Sequence, residues 1–509
     1  MIHCLAFDLG ASGGKFIAGG YDGRELTSCE VHRFENSMVG IGPSLYWDYR
    51  MIWGQYLEGI GKALVRFPGL SSVAADSFCN DFLLISSDGE PVAPMHAYRD
   101  PRMQKNEEAI YDIMSRQELY TMSGNQIAPF STLMQLAAMR LEGRGGLLDD
   151  ADSLLFLPDL LTYYLTGARH TERSIASVTQ MYDHITKDWS GEVLGRFGID
   201  RRLFAPFIDA GGIAGMTTPD IQSAIGAVRP LKVCAAAQHD TASAFAASLA
   251  DEDTLVVSSG TWMLVGCEVK APVITDFGFR YNIANEGGLD GRHRLIKNLM
   301  GNWILQGIQR EFQNEGLEWD YGALAEAAGR LTPNRWLFDV DLPCFYAPGG
   351  MREKVRSVCM QAHGSAPETP PEFMASVCES LAFKTRWAME KLETLTGRRF
   401  SRINIIGGGS RGLYTAQLVA DVCGLPVMCG PSEASALGNI LYQLVASGEL
   451  SGIDEGRGLI RKSTPFTQIE PGAGSIAGSA DRAGRAGSIA GSADRAATAY
   501  ARFLEIFGL

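Results

Sequence analysis

At 509 residues the chain exceeds what one hydrophobic core serves, so two domains of roughly 250 residues each are expected. Its 46% hydrophobic and 20% charged residues are the balance of a globular protein, and a formal net charge of −13 argues against nucleic acid or an anionic membrane as the main partner. The ten cysteines contain no C-x-x-C pair, no apolar run approaches the ~18 residues that span a bilayer, and Asp8 interrupts the first apolar stretch. Free thiols in a cytoplasmic protein are therefore expected, without disulfides or cysteine-bound metal.

Residues 2–7 read as a strand that ends in Asp8-Leu9-Gly10-Ala11-Ser12-Gly13-Gly14-Lys15, and 16–18 resume strand character. Strand–turn–strand excludes the Walker and Rossmann loops, both of which open a helix. A glycine-rich hairpin still presents successive N–H groups to a phosphate, with Ser12 and Lys15 as further donors. Asp8 suits Mg²⁺ held through water. A plain hairpin is the alternative.

A helix is expected from residue 45 to 64 and a strand at 73–76. Phe78-Cys79-Asn80-Asp81-Phe82 then places polar groups in an apolar segment, as a pocket wall or an internal turn. A strand pair turns at Ser87-Asp88-Gly89, and Tyr98-Arg99-Asp100-Pro101-Arg102 gathers charge before a helix. Residues 103–200 read mostly as helix.

The centre of the chain is 234–262. An apolar segment delivers His239 and Asp240 to a strand end, and the small-residue run 241–247 reads as a helix start. A second strand at 254–257 ends in Ser258-Ser259-Gly260-Thr261, rich in small donors. One carboxylate beside one anion-binding turn is what phosphoryl transfer requires, the carboxylate taking a hydroxyl proton while the turn holds phosphate. Helix capping by Asp240 is the alternative.

Asn285-Glu286-Gly287-Gly288 reads as a turn and 295–312 as a helix, with Lys297, Asn298 and Gln306 exposed by default. A strand at 403–406 opens into Gly407-Gly408-Gly409-Ser410 and a helix, where glycines let a ligand approach the backbone. Residues 433–438 begin a small-residue helix. Ala473 to Ala483 recurs letter for letter as Ala486 to Ala496. Thirteen residues are about 3.6 helical turns, so both copies cannot bury one face, and 473–496 is expected to be a tolerated surface insertion before a terminal helix.

Three anion turns, at 8–15, 258–261 and 407–410, are laid out as in the actin/hexokinase/Hsp70-type (ribonuclease H-like) fold, an α/β architecture with ATP in an interdomain cleft. Within it the chain resembles the FGGY carbohydrate kinases, on Asp-Leu-Gly-Ala-Ser (8–12), Ala-Tyr-Arg-Asp (97–100), Ser-Gly-Asn-Gln-Ile-Ala-Pro-Phe (123–130), His-Asp-Thr-Ala-Ser-Ala (239–244) and Ser-Ser-Gly-Thr-Trp (258–262). Asn-Glu-Gly-Gly (285–288), Lys-Asn-Leu-Met-Gly-Asn-Trp-Ile-Leu-Gln (297–306), Gly-Gly-Gly (407–409) and Gly-Pro-Ser-Glu-Ala-Ser-Ala-Leu-Gly-Asn (430–439) complete the set.

The resemblance implies a sugar-binding domain at 1–245, a nucleotide-binding domain at 246–509, and ATP- and Mg²⁺-dependent phosphorylation of a ketose at its 1-hydroxyl. L-rhamnulose is the expected sugar. The alternatives are L-fuculose, a xylulose-like sugar or polyol, or a non-catalytic regulator on the same fold. It implies Asp240 as the base and Cys79, Asn80, Asp81, Asp100, His239, Thr241 and Asn298 around the sugar. Gly10, Ala11, Ser12, Gly13, Gly14, Lys15, Gly260, Thr261, Gln306, Gly408 and Gly409 fall to the nucleotide, and Asp8 to the metal. A monomer or homodimer is expected. The chain departs from the family at 78–82, where Trp-Gly-Val-Asp-Tyr is usual and the glycine lies against the sugar. It departs also at Lys15, usually Arg, and near Ser174-Ile175-Ala176-Ser177, usually Thr-Asn-Ala-Thr.

Overall fold

A computed structural model of the chain describes residues 1–347, 349–472 and 490–509, without the side chains of 289 and 490–496. Of the expected insertion at 473–496, everything before 490 lies outside the described residues. All ten cysteines are free thiols, and among the described residues no helix is long and apolar enough to cross a membrane.

Two compact units are present. The first comprises residues 1–248, 268–295 and 433–464, the second 249–267, 296–432 and 465–509. In the first, six strands run in the order Ile213–Met216, Lys232–Cys234, Leu70–Ser77, Ile2–Gly10, Gly13–Tyr21 and Leu26–Glu35. The second, third and fourth of these are mutually parallel, and Ile2–Gly10 turns back antiparallel into Gly13–Tyr21. This is the strand–turn–strand read from the sequence.

Strand period two divides the first strand between two helices. Leu5, Phe7 and Leu9 point to a core shared with Ile52, Tyr56 and Ile60 of the helix Tyr49–Arg66, which Asp48 caps by accepting from Met51 N. On the other face lies the helix Ala434–Ala446, where Gln443 donates to Leu5 O at 2.9 Å and Ile440 fills the space a side chain at Gly19 would take.

In the second unit the strands Thr254–Ser259, Arg402–Ile406 and Val427–Cys429 are parallel. Leu255, Val256, Val257, Ile403, Ile405 and Ile406 are buried in them, the near-continuous apolar run of a sheet covered on both faces. The helix Pro370–Thr396 starts at a Thr369/Glu372 capping box with proline in its first turn.

Four expectations are corrected. The helix expected from residue 45 begins only at Tyr49, and Ser44–Trp47 is a strand. Residues 295–299 belong to the strand Arg292–Leu299, and the helix begins only at Trp303. Leu295, Ile296 and Leu299 satisfy both periods over so short a run. Residues 284–289 are a strand with its turn at Asp290-Gly291, both at positive φ. The helical region after 102 ends at Thr166, beyond which come only short helices and two-residue strands until Ile213–Met216.

Candidate active site

In the first unit the sheet register places Asp76 beside Asp8, Asp8 beside Lys15, and Lys15 beside Arg33. Register neighbours project to one side, so a row of charges crosses four strands, acidic at its centre and basic toward the edge. Lys15 Nζ pairs with Glu433 at 3.0 Å. Burial pushes the Asp8 carboxyl up to about 6 against the pull of Lys15. Asp76 is fully buried and pushed well above the carboxylate range by burial and the Asp8 charge, while Asn439 donates to its Oδ2 at 2.7 Å.

The turn above this row is Ala11-Ser12, half-buried and exposed, between paired Gly10 and Gly13. Its glycines differ in purpose. A Cβ on Gly14 would strike the Phe34 and Phe7 rings, and one on Gly13 would meet Phe34 O at 2.8 Å, whereas Gly10 has room. Two of the three are therefore required by packing alone.

Asp240 opens the helix Asp240–Ala246, just past the strand Lys232–Cys234 and beside the end of Leu70–Ser77, where Ser77 N donates to Gln238 O at 2.9 Å. The carboxyl ends of parallel strands are where open α/β sheets bind ligands. Its side chain retains 31% exposure and accepts from the Thr241 hydroxyl at 3.1 Å. Burial, then the nearby Asp8 charge, lifts it to about 7. His239 lies 3.5 Å from Asp240 on one ring nitrogen and 3.5 Å from Glu286 on the other, and Arg294 pairs with Glu286 at 3.2 Å. Burial and the Arg294 charge hold the imidazole neutral.

Residues 78–81 bend the chain between the strands Leu70–Ser77 and Phe82–Ile85, with Asn80 at φ +80°. Cys79 Sγ accepts from Asn80 Nδ2 at 3.1 Å, and Asn80 Oδ1 is buried without a partner. Asp81 serves the framework: it accepts from Trp47 Nε1 at 2.6 Å, Gln135 Nε2 at 2.8 Å and Tyr98 N at 3.1 Å. Asp100 is occupied likewise by Leu45 N at 2.7 Å and Arg102 N at 2.9 Å. Neither carboxylate needs a sugar to satisfy it.

In the second unit Gly260 is exposed and Thr261 half-buried, and Thr261 O accepts from Trp303 N at 3.0 Å at the start of the helix carrying half-buried Gln306. Gly409 packs so closely that a Cβ there would lie 2.0 Å from Ser259 Oγ, while Gly407 needs its φ of +80°. Gly408 has neither reason: it is exposed, with nothing within 4 Å of an added Cβ. Lys297 and Asn298 are half-buried rather than exposed, and Asn298 Oδ1 has no partner. Among the described residues no three His, Cys, Asp or Glu side chains converge as a metal cage. The sequence reading gave no role to Asp76, Glu172, Glu286 or Glu433, two of which it met only as letters of a motif, because a lone carboxylate carries no local signal when its partners are distant in the chain.

Residues 3–246 match the N-terminal domain of the FGGY family of carbohydrate kinases and 255–447 its C-terminal domain. A rhamnulokinase of Bacteroides thetaiotaomicron is 35% identical over 468 residues, 92% of this chain and 95% of that protein. A rhamnulokinase of Yersinia pestis is 36% identical over 470 residues, with the same shares. Among solved structures, a gluconate kinase from Lactobacillus acidophilus aligns with a TM-score of 0.79 at 14% identity, over 99% of this chain and 97% of that one. A ligand-bound xylulose kinase from the same organism aligns at 0.78 and 14%, over 99% and 98%. These structural likenesses show the two-domain α/β fold. With both domains matched and relatives this similar along nearly their whole length, the chain belongs to the FGGY family of carbohydrate kinases and is an ATP-dependent sugar kinase.

Proposed function

We propose that the enzyme converts L-rhamnulose to L-rhamnulose 1-phosphate. The observation that carries this is the 35% identity to a rhamnulokinase across 92% of the chain. Asp240 takes the proton of the sugar's 1-hydroxyl as that oxygen attacks the γ-phosphorus of ATP. The phosphorus–oxygen bond to ADP breaks, and the proton ends on the Asp240 carboxyl. An acidity of about 7 makes Asp240 a better proton acceptor than an ordinary carboxylate while leaving a large ionised fraction at neutral pH.

Asn298 Oδ1 in the second unit and Asn80 Oδ1 in the first, both buried and unpartnered, are acceptors suited to sugar hydroxyls, and Cys79, His239 and Thr241 of the first unit are assigned to the sugar as well. Asp81 and Asp100 hold the wall behind them through the hydrogen bonds described above. Gly10 to Lys15, Gly260 and Thr261 take the phosphates, and Gln306, Gly408 and Gly409 the rest of the nucleotide. Asp8, half-buried and with its carboxyl pushed up to about 6, fits Mg²⁺, an ion that needs one or two carboxylates and keeps its waters; once bound it would neutralise phosphate charge. The reading includes a cytoplasmic location and a monomer or homodimer.

The test is purified protein with ATP and a panel of L-rhamnulose, L-fuculose, D-xylulose and small polyols, the product located by phosphorus–carbon coupling in NMR. Highest kcat/KM on L-rhamnulose, with phosphate on O1, is expected. Preference for another sugar overturns the specificity, and sugar binding without phosphorylation overturns the reaction. The altered 78–82 segment should report the same choice: Cys79→Gly, restoring the family's residue, should change the ranking of sugars more than the turnover of ATP.

A further inference from the structure

The segment that delivers Asp240 has no regular structure of its own: residues 235–238 lie between the strand Lys232–Cys234 and the helix Asp240–Ala246. It is buried, with Gln238 at 2% and His239 at 5% exposure, so its peptide groups need protein partners. The carbonyls find them in the helix that follows and in the neighbouring strand Leu70–Ser77. Ala237 O accepts from Ser243 Oγ, Gln238 O from Ser77 N, and His239 O from Ala242 N and Ser243 N.

The two donors that precede Asp240 are met by one side-chain pair at the junction of the strand Thr171–Glu172 and the short helix Arg173–Ala176. Gln238 N donates to Glu172 Oε2 at 3.0 Å, and His239 N to Ser174 Oγ at 3.0 Å. The pair is locked to itself: the Ser174 hydroxyl donates to Glu172 Oε2, and Glu172 accepts also from Ser174 N at 2.9 Å and Ile175 N at 3.3 Å. A hydroxyl has one proton and two acceptor positions, so Ser174 donates to the carboxylate and accepts from His239 at once. Both residues are fully buried. The junction is backed in turn by the strand Ala284–Leu289: a Cβ on Gly288 would lie 2.6 Å from Ser174, and Gly287 N donates to Ser177 Oγ at 2.9 Å.

We propose that Glu172 and Ser174 are positioning residues for the reaction, a clamp on the peptide groups of Gln238 and His239 that fixes where the Asp240 carboxylate stands. The proposal rests on Asp240 being the base. Burial pushes the Glu172 carboxyl up to about 7 while its four donors pull the other way, and Oε2, which accepts from Gln238 N, Ile175 N and the Ser174 hydroxyl, stays an acceptor with no place for a proton. Glu172 and Ser174 are not themselves among the residues assigned to the sugar or the nucleotide, so their loss should appear mainly in the chemical step rather than in binding. A small displacement of a reacting group lowers turnover far more than affinity.

Ser174→Ala and Glu172→Gln in the full chain, with Asp240→Asn as the reference, test this. The readouts are kcat per folded molecule, KM for ATP and for the best sugar of the panel, sugar affinity by calorimetry, and the thermal midpoint. Ser174→Ala should lower kcat about fivefold or more and Glu172→Gln about tenfold or more, with both KM values within about twofold. A purely structural clamp would lower the thermal midpoint and the folded fraction while leaving kcat per folded molecule unchanged, and that result overturns the proposal. Should Glu172→Gln not fold, Ser174→Ala decides alone. If Asp240→Asn keeps its turnover, the base assignment falls; if it loses turnover while Ser174→Ala keeps wild-type kcat, only the clamp falls.

Discussion

Asp240 stands where an ionised carboxylate is disfavoured, by burial first and by the charge of Asp8 second, and this sets a pH signature. A base must be ionised to act, and a folded-state acidity of about 7 means that activity is lost as pH falls through that value. The acid limb of kcat/KM should therefore centre near 7 and fall about tenfold per unit below it. A limb near the usual carboxylate value of 3.8 would show that Asp240 is more solvated than the structure has it. The glycines of 407–409 give a second test at this scale. Gly409→Ala forces its methyl into Ser259 and should destabilise the fold by about 1–3 kcal/mol. Gly408→Ala meets nothing in the protein, so it should leave the thermal midpoint alone and raise KM for ATP. Equal effects of the two on stability, by thermal melting, would remove Gly408 from the nucleotide's path.

The helix Ala434–Ala446 shows how elements carry the site. Its small residues announce a helix in the sequence, but not which sheet it covers. Gly438 backs so closely onto the helix that begins at Asp240 that a Cβ would lie 1.8 Å from Ser243 O, and Asn439 reaches Asp76 in the next sheet layer. Gly438→Ala should therefore separate the two helices, destabilising by about 2 kcal/mol or more and lowering turnover in the molecules that still fold. Unchanged melting and activity would contradict this packing. The strand–turn–strand at 8–15 was legible because alternation, glycine spacing and the resumed strand at Phe16 are all local. The strand at 292–299 was not, since a short apolar run fits either period, and the Asn285–Gly288 motif took its meaning from contacts with Ser174, Ser177, His239 and Arg294, none of them adjacent to it in sequence.

At the scale of the molecule, the first unit is not a continuous stretch of chain: its sheet is covered by a helix that arrives after residue 432. Without it Gln443 no longer meets Leu5, Asn439 no longer meets Asp76, and Ile440 leaves Gly19 bare. Residues 1–245 expressed alone should therefore fail to fold cooperatively, by circular dichroism melting, although a linear reading of the family's N-terminal domain makes them look self-sufficient; a sharp two-state melt would contradict this. The family and the fold were legible in the sequence as motifs. What was not legible is the set of buried carboxylates that hold those motifs in place, because each is specified by contacts from other parts of the chain. The central claim is that one carboxylate, Asp240, accepts the proton of the sugar, and Asp240→Asn tests it most directly. Sugar-dependent ATP turnover should fall roughly 10²–10⁴-fold while calorimetric sugar binding is retained. A fall of less than about tenfold, with binding intact, would contradict it.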